Sequence, residues 1–169
     1  MVEQQCLVLI KPDGLIKSLT GDIIMALSAT KLKIIGTKIV KPSKAHLENH
    51  YGDLKQRKPA VFDATIDYMS GKYHTDRVFA LVYKGEDAIA KIREVCGATN
   101  PEAAEPTSIR GRYGRIHSKT GIFENVVHAS DSPESAEREI KLWFFPDEIV
   151  EPIYPTKKEK VNVERSVWK

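Results

Sequence analysis

Residues 122–140 constrain the fold of this chain more than any other part of its sequence. The apolar run at residues 122–127 predicts a buried strand, and this strand leads directly into His128. Ser132 is a preferred helix N-cap and Pro133 suits a first helical position, so a helix is expected to begin there. A histidine therefore lies where a buried strand gives way to a helix, which is a common place for chemistry in α/β proteins.

The rest of the chain alternates further strands with helices. Apolar runs predict three more strands, at residues 6–10, 33–40 and 78–82. Apolar residues at helical spacing and N-cap signals predict helices at residues 21–30, 44–51, 60–69 and 86–96. Residues 55–59 are expected to form a basic turn and residues 112–121 a long loop. This order predicts an α/β sandwich, for which the ferredoxin-like βαββαβ arrangement is one solution.

The composition is that of one globular domain. The chain has 169 residues, of which 41% are hydrophobic, and a net charge of +3, which fits a phosphate-bearing ligand but is too small to argue for nucleic acid. No apolar run approaches the ~18–20 residues of a membrane span, and the start of the chain lacks a signal-peptide pattern. Cys6 and Cys96 are expected to be reduced and buried, and the cytoplasm is the expected compartment. Residues 146–169, rich in proline and lysine, are expected to form a surface arm of the same domain.

Two candidate functional residues stand at strand ends. Lys11 follows the first buried strand, where it is either a surface lysine or a charge placed in a cleft. His128, taken alone, would more often be a packed histidine in a turn than a nucleophile or ligand. His74 lies in a polar turn without an evident partner and is expected to be solvated.

Several motifs together resemble the nucleoside diphosphate kinase family. The pattern N-x-x-H-x-S-D-S-x-x-S-A-x-x-E-I, which begins at Asn125, resembles the active-site signature of that family. The sequence VLIKPDG, which contains Lys11, resembles its first-strand motif. The local contexts of Arg93 (R-x-x-x-G-x-T-N-P) and Arg110 (IRG) match as well, so the resemblance covers about residues 5–145. It implies a ferredoxin-like domain over residues 1–145 with a four-stranded antiparallel sheet covered by helices.

The resemblance implies an enzyme, a nucleoside-diphosphate kinase. In this family a nucleoside triphosphate such as ATP phosphorylates the histidine, and a nucleoside diphosphate (ADP, GDP, CDP, UDP or a deoxy form) then collects the phosphate by a ping-pong mechanism. Mg²⁺ would arrive bridging the nucleotide phosphates, because no carboxylate or histidine cluster predicts a metal site built from the protein. The resemblance also implies a homo-oligomer, a hexamer or less often a tetramer.

The resemblance assigns roles to individual residues. The histidine nucleophile matches His128, and a carboxylate on its other ring nitrogen would fix the tautomer and stabilise the charge that develops on attack. The residues that match the catalytic group are His128, Glu139, Ser130, Tyr51 and Lys11. Those that match the nucleotide-binding group are Lys11, Val61, Arg93, Thr99, Arg110 and Asn125.

The sequence departs from the family pattern in three places. An apparent two-residue insertion near residues 57–62 puts Val61 where the family has a phenylalanine that stacks on the base, unless a register shift brings Phe62 there instead. Arg112 replaces the acidic residue of the family's Arg-Gly-Asp motif. The loop between Arg110 and Asn125 is about five residues longer than is usual in the family.

A second class of function, a non-catalytic nucleic-acid-binding module of the same fold class, is weaker. It is motivated by the basic balance and by a cluster of cationic and aromatic residues, Arg110, Arg112, Tyr113 and Arg115. None of the predicted strands carries the aromatic pattern that stacks RNA bases in such modules. A degenerate scaffold is weaker still, because every residue that matches the catalytic group is present. No P-loop pattern occurs in the sequence.

Overall fold

Four strands form the central sheet of the protein, which a computed structural model describes over residues 2–164 and 167–168. The strands are β1 (Glu3–Ile10), β2 (Lys33–Val40), β3 (Val78–Glu86), β4 (Arg115–Ile116), β5 (Phe123–Glu124) and β6 (Val127–Ala129). The central sheet has the order β2-β3-β1-β6 with antiparallel neighbours, and β4 and β5 form a separate antiparallel pair. The predicted ferredoxin-like α/β fold with a four-stranded antiparallel sheet is therefore confirmed.

Helices cover both faces of this sheet. They are α1 (Pro12–Ile16), α2 (Thr20–Ser28), α3 (Lys44–His50), α4 (Gly52–Arg57), α5 (Pro59–Met69), α6 (Ala88–Cys96), α7 (Ile109–Tyr113) and α8 (Pro133–Trp143). As predicted, the side chain of Ser43 caps α3, and that of Ser132 caps α8 by accepting a hydrogen bond from the Ser135 amide at 3.1 Å. Among the residues described, no helix combines the length and the apolar character needed to cross a membrane.

β1 lies inside the sheet and is buried on both faces. Cys6, Val8 and Ile10 face the hydrophobic cluster of α2 and α6, whereas Leu7 and Leu9 face that of α5 and α8. All five side chains are fully buried, which contributes about 1.5–3 kcal/mol for each large aliphatic residue. A slip of one residue would exchange the two faces and so change which side chains pack against each cluster. The free cysteines Cys6 and Cys96 are both buried, as expected.

The strand predicted at residues 122–127 is wrong in its bounds. Phe123 and Glu124 pair with β4, whereas Val127–Ala129 join the central sheet, so His128 lies inside β6 and not after a strand. Val126, between the two, has a φ of 57°, a left-handed conformation that is rare for a β-branched residue. This residue turns the chain from one sheet to the other, and a run of apolar residues gives no sign of such a break.

Short helices account for most of the other differences. Residues 52–57 form α4, so most of the predicted basic turn is helical, and α5 begins at Pro59. The helix α1 follows β1 directly, and α7 lies just before the predicted long loop. Helices of five or six residues are too short for helical periodicity to predict them.

The first part of the predicted C-terminal arm packs against the domain. Ile149, Ile153 and Tyr154 are half-buried against the hydrophobic cluster that includes α5 and α8, and the amide of Val150 donates to the Ile35 carbonyl at 2.9 Å. Further along, Val161 is 70% exposed. The division into a domain at residues 1–145 and an arm at residues 146–169 stays a prediction.

The difference in packing between residues 149 and 161 of the arm can be tested by measuring the stability of variants. Ile149→Ala should lower the free energy of unfolding by about 1–2 kcal/mol, because it removes half-buried apolar surface. The matched change Val161→Ala should alter it by less than about 0.5 kcal/mol. Urea unfolding followed by circular dichroism measures both, and equal effects would contradict the packing described here.

Candidate functional site

A cleft of about 350 Å³ lies beside β6, within the usual size range of small-molecule sites. Its walls come from helices on both sides of the sheet edge and from the segment between β5 and β6. It brings together all the predicted site residues except Ser130, namely Lys11, Tyr51, Val61, Arg93, Thr99, Arg110, Asn125, His128 and Glu139. Ser130 is fully buried directly behind Glu139.

His128 is held by a carboxylate. Its Nε2 lies 2.9 Å from Oε2 of Glu139, and the Ser130 hydroxyl donates to the same oxygen at 2.7 Å while it accepts from the Leu7 amide at 3.1 Å. Burial would raise the pKa of Glu139, but the neighbouring His128 and the two hydrogen bonds outweigh it and the pKa is lowered. An ionised Glu139 accepts a hydrogen bond from Nε2–H of His128, so the neutral ring keeps its lone pair on Nδ1.

Lys11 lies in the cleft and not on the surface, which decides between the two sequence interpretations. It is 8% exposed, and its Nζ donates to Oδ1 of Asn125 at 2.7 Å. The Asn125 amide nitrogen in turn donates to the Thr99 carbonyl at 2.7 Å. Burial and, to a smaller extent, the nearby Arg110 lower the pKa of Lys11 to about 8, against the opposing effect of Asp13.

Two arginines reach the cleft in different ways. Arg110 is 4% exposed and donates to the carbonyls of Gly97 at 2.7 Å and Val127 at 3.1 Å. Its buried Nε has no partner among the residues described, and burial lowers the pKa of this guanidinium. Arg93 is exposed and lies at the edge of the cleft. Of these two arginines, Arg110 is therefore held in place by hydrogen bonds, whereas Arg93 is exposed to solvent.

His50 is a site residue that the sequence analysis missed. Its ring lies 4.6 Å from the His128 ring and 4.6 Å from the Tyr51 ring, centroid to centroid. The Trp143 indole donates to Nδ1 of His50 at 3.1 Å, and burial lowers the pKa of His50 well below its usual value. An indole only donates, so neutral His50 carries its proton on Nε2, which has no partner among the residues described. Tyr51 received a role through its match to the family, but the neighbouring His50 did not.

His50, His128 and Glu139 each have one possible ligand atom in a cluster where all three atoms lie within 4.8 Å of one another. A metal ion could use this spacing. The sequence analysis expected no such cluster. The hydrogen bonds argue against a metal there. The Nδ1 lone pair of His50 accepts from Trp143, and its Nε2 carries the proton, so neither nitrogen of this ring is available to a metal. The cluster therefore fits an organised nucleophile better than a metal site.

Asp13 is a second missed residue, and it positions the turn before β6. Its carboxylate is fully buried, accepts from the Val126 amide at 3.1 Å and accepts a short hydrogen bond from the Tyr68 hydroxyl. The Lys11 amide donates to the Val126 carbonyl at 2.8 Å. Both backbone groups of the strained residue are thus satisfied. The motif VLIKPDG contained Asp13, but nothing in it indicated a partner more than 100 residues away.

The expectation that His74 is solvated is wrong. Its Nε2 lies 2.7 Å from Oε1 of Glu124, whose side chain is 1% exposed and also pairs with Arg115. The two partners lower the pKa of Glu124 against the opposing effect of its burial. This cluster ties β4 and β5 to the turn before β3.

The structure separates the two candidates for the base position. Val61 lines the cleft and is 45% exposed. Phe62 is 4% exposed and packs in the core, so the register shift that would bring it into the cleft does not occur.

Comparison with known proteins identifies the family. The family described as nucleoside diphosphate kinase matches residues 4–149. The chain is 42% identical to the nucleoside diphosphate kinase of Archaeoglobus fulgidus over 147 residues, which are 87% of this chain and 90% of that protein. It is 40% identical to that of Bacillus licheniformis over 148 residues, 88% and 93% of the two chains.

Solved structures agree. A nucleoside-diphosphate kinase from Borrelia burgdorferi with bound vanadate and ADP, a transition-state mimic, superposes with a TM-score of 0.80 at 31% identity, covering 91% of this chain and 94% of that one. The Aquifex aeolicus enzyme gives a TM-score of 0.76 at 32% identity, covering 88% and 99%. The chain belongs to the nucleoside diphosphate kinase family and is a phosphotransferase. Enzymes of this family use a divalent cation for nucleotide binding.

The buried charge of Lys11 predicts a specific pH dependence of stability. Its pKa is lowered from 10.5 to about 8, so between these values the unfolded chain binds more protons and the native state gains stability as the pH rises. The full effect is about 3 kcal/mol, at ~1.4 kcal/mol per pKa unit. The difference in unfolding free energy between wild type and Lys11→Met should therefore shift in favour of wild type by about 2–3 kcal/mol from pH 7.5 to 10. A constant difference across this range would contradict the assignment.

Proposed function

We propose that this enzyme transfers the γ-phosphate of ATP, or of another nucleoside triphosphate, to nucleoside diphosphates through a phosphohistidine at His128. The observation that carries the proposal is the 2.9 Å contact between His128 and Glu139 inside a cleft that also holds Lys11 and Arg110. The acceptors are ADP, GDP, CDP, UDP and their deoxy forms. The nucleotide complex of the Borrelia burgdorferi relative supports phosphoryl transfer as the chemistry.

Nδ1 of His128 is the nucleophile. Its lone pair attacks the γ-phosphorus, a nitrogen–phosphorus bond forms, and the bond to the bridging oxygen breaks as the nucleoside diphosphate leaves with the electron pair. Glu139, already ionised, stabilises the positive charge that spreads over the ring, and Ser130 holds the carboxylate in place. In the second half, a terminal oxygen of the acceptor diphosphate attacks the same phosphorus and the lone pair returns to Nδ1.

The cations of the cleft bind and neutralise the phosphates. Lys11 is charged at neutral pH, since its pKa is about 8, and an approaching phosphate raises that value. Arg110 presents a donor that no described residue satisfies, and the exposed Arg93 closes over the transferring group. Thr99 and Asn125 supply hydrogen bonds to the phosphates and the sugar.

Tyr51 and His50 position the nucleophile. Their rings pack edge-on around His128, with centroid distances of 6.5 Å for Tyr51 and 4.6 Å for His50. The lowered pKa of His50 keeps this ring uncharged, so that it does not compete with His128 for the negative charge of Glu139. Mg²⁺ would enter with the nucleotide substrate and would supply positive charge to its phosphates.

The nucleic-acid alternative has no support in the structure. Its cationic residues do not form one surface, because Arg110 is turned into the cleft and Arg115 pairs with Glu124. Of the basic residues that motivated it, Arg112 is exposed, and its guanidinium lies 6.0 Å from the centroid of the Tyr113 ring.

The proposal extends to assembly and location. A homo-oligomer, a hexamer or a tetramer, is supported by the edge strand β2, which leaves Ile34 43% and Ile39 63% exposed. A cytoplasmic location is consistent with the free, buried cysteines.

The covalent step can be tested directly. Incubation of the protein with γ-labelled ATP and no acceptor should give a labelled enzyme that is stable in base and labile in acid, as a phosphoramidate is. His128→Ala should carry no label. An unlabelled wild type, or label that persists on His128→Ala, would exclude the mechanism.

The cations make a second test. Arg93→Ala and Arg110→Ala should each lower kcat by on the order of 10²-fold or more, because they oppose charge on the transferring phosphate. Arg112→Ala is the matched control, since Arg112 is exposed and lies outside the cleft, and it should change kcat by less than about 3-fold. Equal losses in all three variants would show that the phosphates bind elsewhere.

A further inference from the structure

The outer end of the cleft lacks an aromatic ring on its helical wall. Val61, on α5, is the side chain at the position that the family pattern gives to a ring, and it is 45% exposed toward the opening. Leu54, on α4, lines the same wall. An aliphatic wall supplies contact area for a base but no π-face.

The facing segment does supply a ring. Phe123, on β5, is half-buried and lines the cleft together with Gly121 and Ile122. The sequence analysis gave it no role. It belongs to the segment that closes the long loop, whereas the catalytic residues come from the helices and the central sheet.

The other aromatic side chains near the cleft make contacts within the protein. The Tyr68 hydroxyl bonds Asp13, and its side chain is 1% exposed. Tyr51 packs beside His128 at the deep end. Phe62 lies in the core. Among the residues described, Phe123 is therefore the phenylalanine available to a ligand in this cleft.

The neighbouring residue Glu124 fixes the orientation of Phe123. Phe123 and Glu124 pair with Ile116 and Arg115 of β4, and successive strand residues point to opposite faces. Glu124 is 1% exposed and fixed by His74 and Arg115, so the opposite face of the strand, which carries Phe123, is turned to the cleft. β4, the partner strand of β5, lies within the long loop.

We propose that Phe123 stacks on the nucleobase of the bound nucleotide, and that the long loop forms the β4–β5 pair that holds this ring in place. The ligand class is the purine or pyrimidine base of a nucleoside di- or triphosphate. Every base has a π-face, so this contact binds all of them and discriminates weakly. The inference rests on the proposed function, because it assumes that a nucleotide occupies the cleft.

The test compares two ligands, one that has a nucleobase and one that has none. Titration calorimetry in the presence of Mg²⁺ measures the Kd of ADP and of inorganic tripolyphosphate for wild type, Phe123→Leu and Phe123→Trp. Phe123→Leu keeps an apolar side chain but loses the ring, so it should weaken ADP by about 5- to 30-fold, given the usual contribution of a stacked base. Its affinity for tripolyphosphate should stay within about 2-fold, and Phe123→Trp should bind ADP as wild type does.

Controls separate stacking from structural damage and from a failure of the proposed function. Phe145→Ala removes a 72% exposed ring outside the cleft and should leave both affinities unchanged. Unchanged ADP binding by Phe123→Leu, or an equal loss for tripolyphosphate, would overturn the role of Phe123. Labelling by saturating γ-labelled ATP tests His128 separately. Wild type that binds ADP through Phe123 but takes no label would refute the phosphohistidine and leave the stacking intact.

Discussion

The hydrogen bond from the Val126 amide to Asp13 is the contact on which the geometry of the cleft depends. Val126 occupies a left-handed conformation, which costs of order 1–3 kcal/mol for such a residue unless its surroundings fix it. Asp13, the Lys11 amide and the close approach of Gly14 fix it, since a Cβ on Gly14 would lie 3.1 Å from the Val126 carbonyl oxygen. The turn then directs Asn125 to Lys11 on one side and begins β6 on the other.

The same region concentrates positive charge before any ligand binds. Lys11 and Arg110 are both at least nine-tenths buried, and the charge of Arg110 adds to the effect of burial in lowering the pKa of Lys11. Such an arrangement is unfavourable in the free protein and favourable once phosphate oxygens arrive, because donors that are already oriented need no reorganisation. Before a ligand binds, the carbonyls of Gly97 and Val127 hold the Arg110 guanidinium, so its position is already fixed when the ligand arrives.

Local signals predicted the parts of the fold that depend on local forces. The bounds of β2 and the cap of α8 follow from residue alternation and from Ser132, and the motif around His128 pointed to a residue that lines the cleft. The bond from Asp13 to Val126, the packing of His50 against Trp143 and the pairing of His74 with Glu124 join distant segments, and no periodicity carries them. His74, which was expected to be solvated, is partly buried because its partner Glu124 lies in a distant segment.

The two ends of the cleft differ in how much sequence change they tolerate. At the phosphate end, donors must lie within a few tenths of an ångström of developing charge, and their positions depend on β1, β6 and α8 together. At the base end, stacking requires an apolar face that can lie against the base. The residue that provides it can belong to any helix or strand, because dispersion and π contacts are weakly directional. A ring can thus be lost from α5, where Val61 now lies, and a ring on β5 can take its place. The paired Glu124 makes this possible, since its buried carboxylate, held by Arg115 and His74, gives the short strand the fixed orientation that its length alone would not.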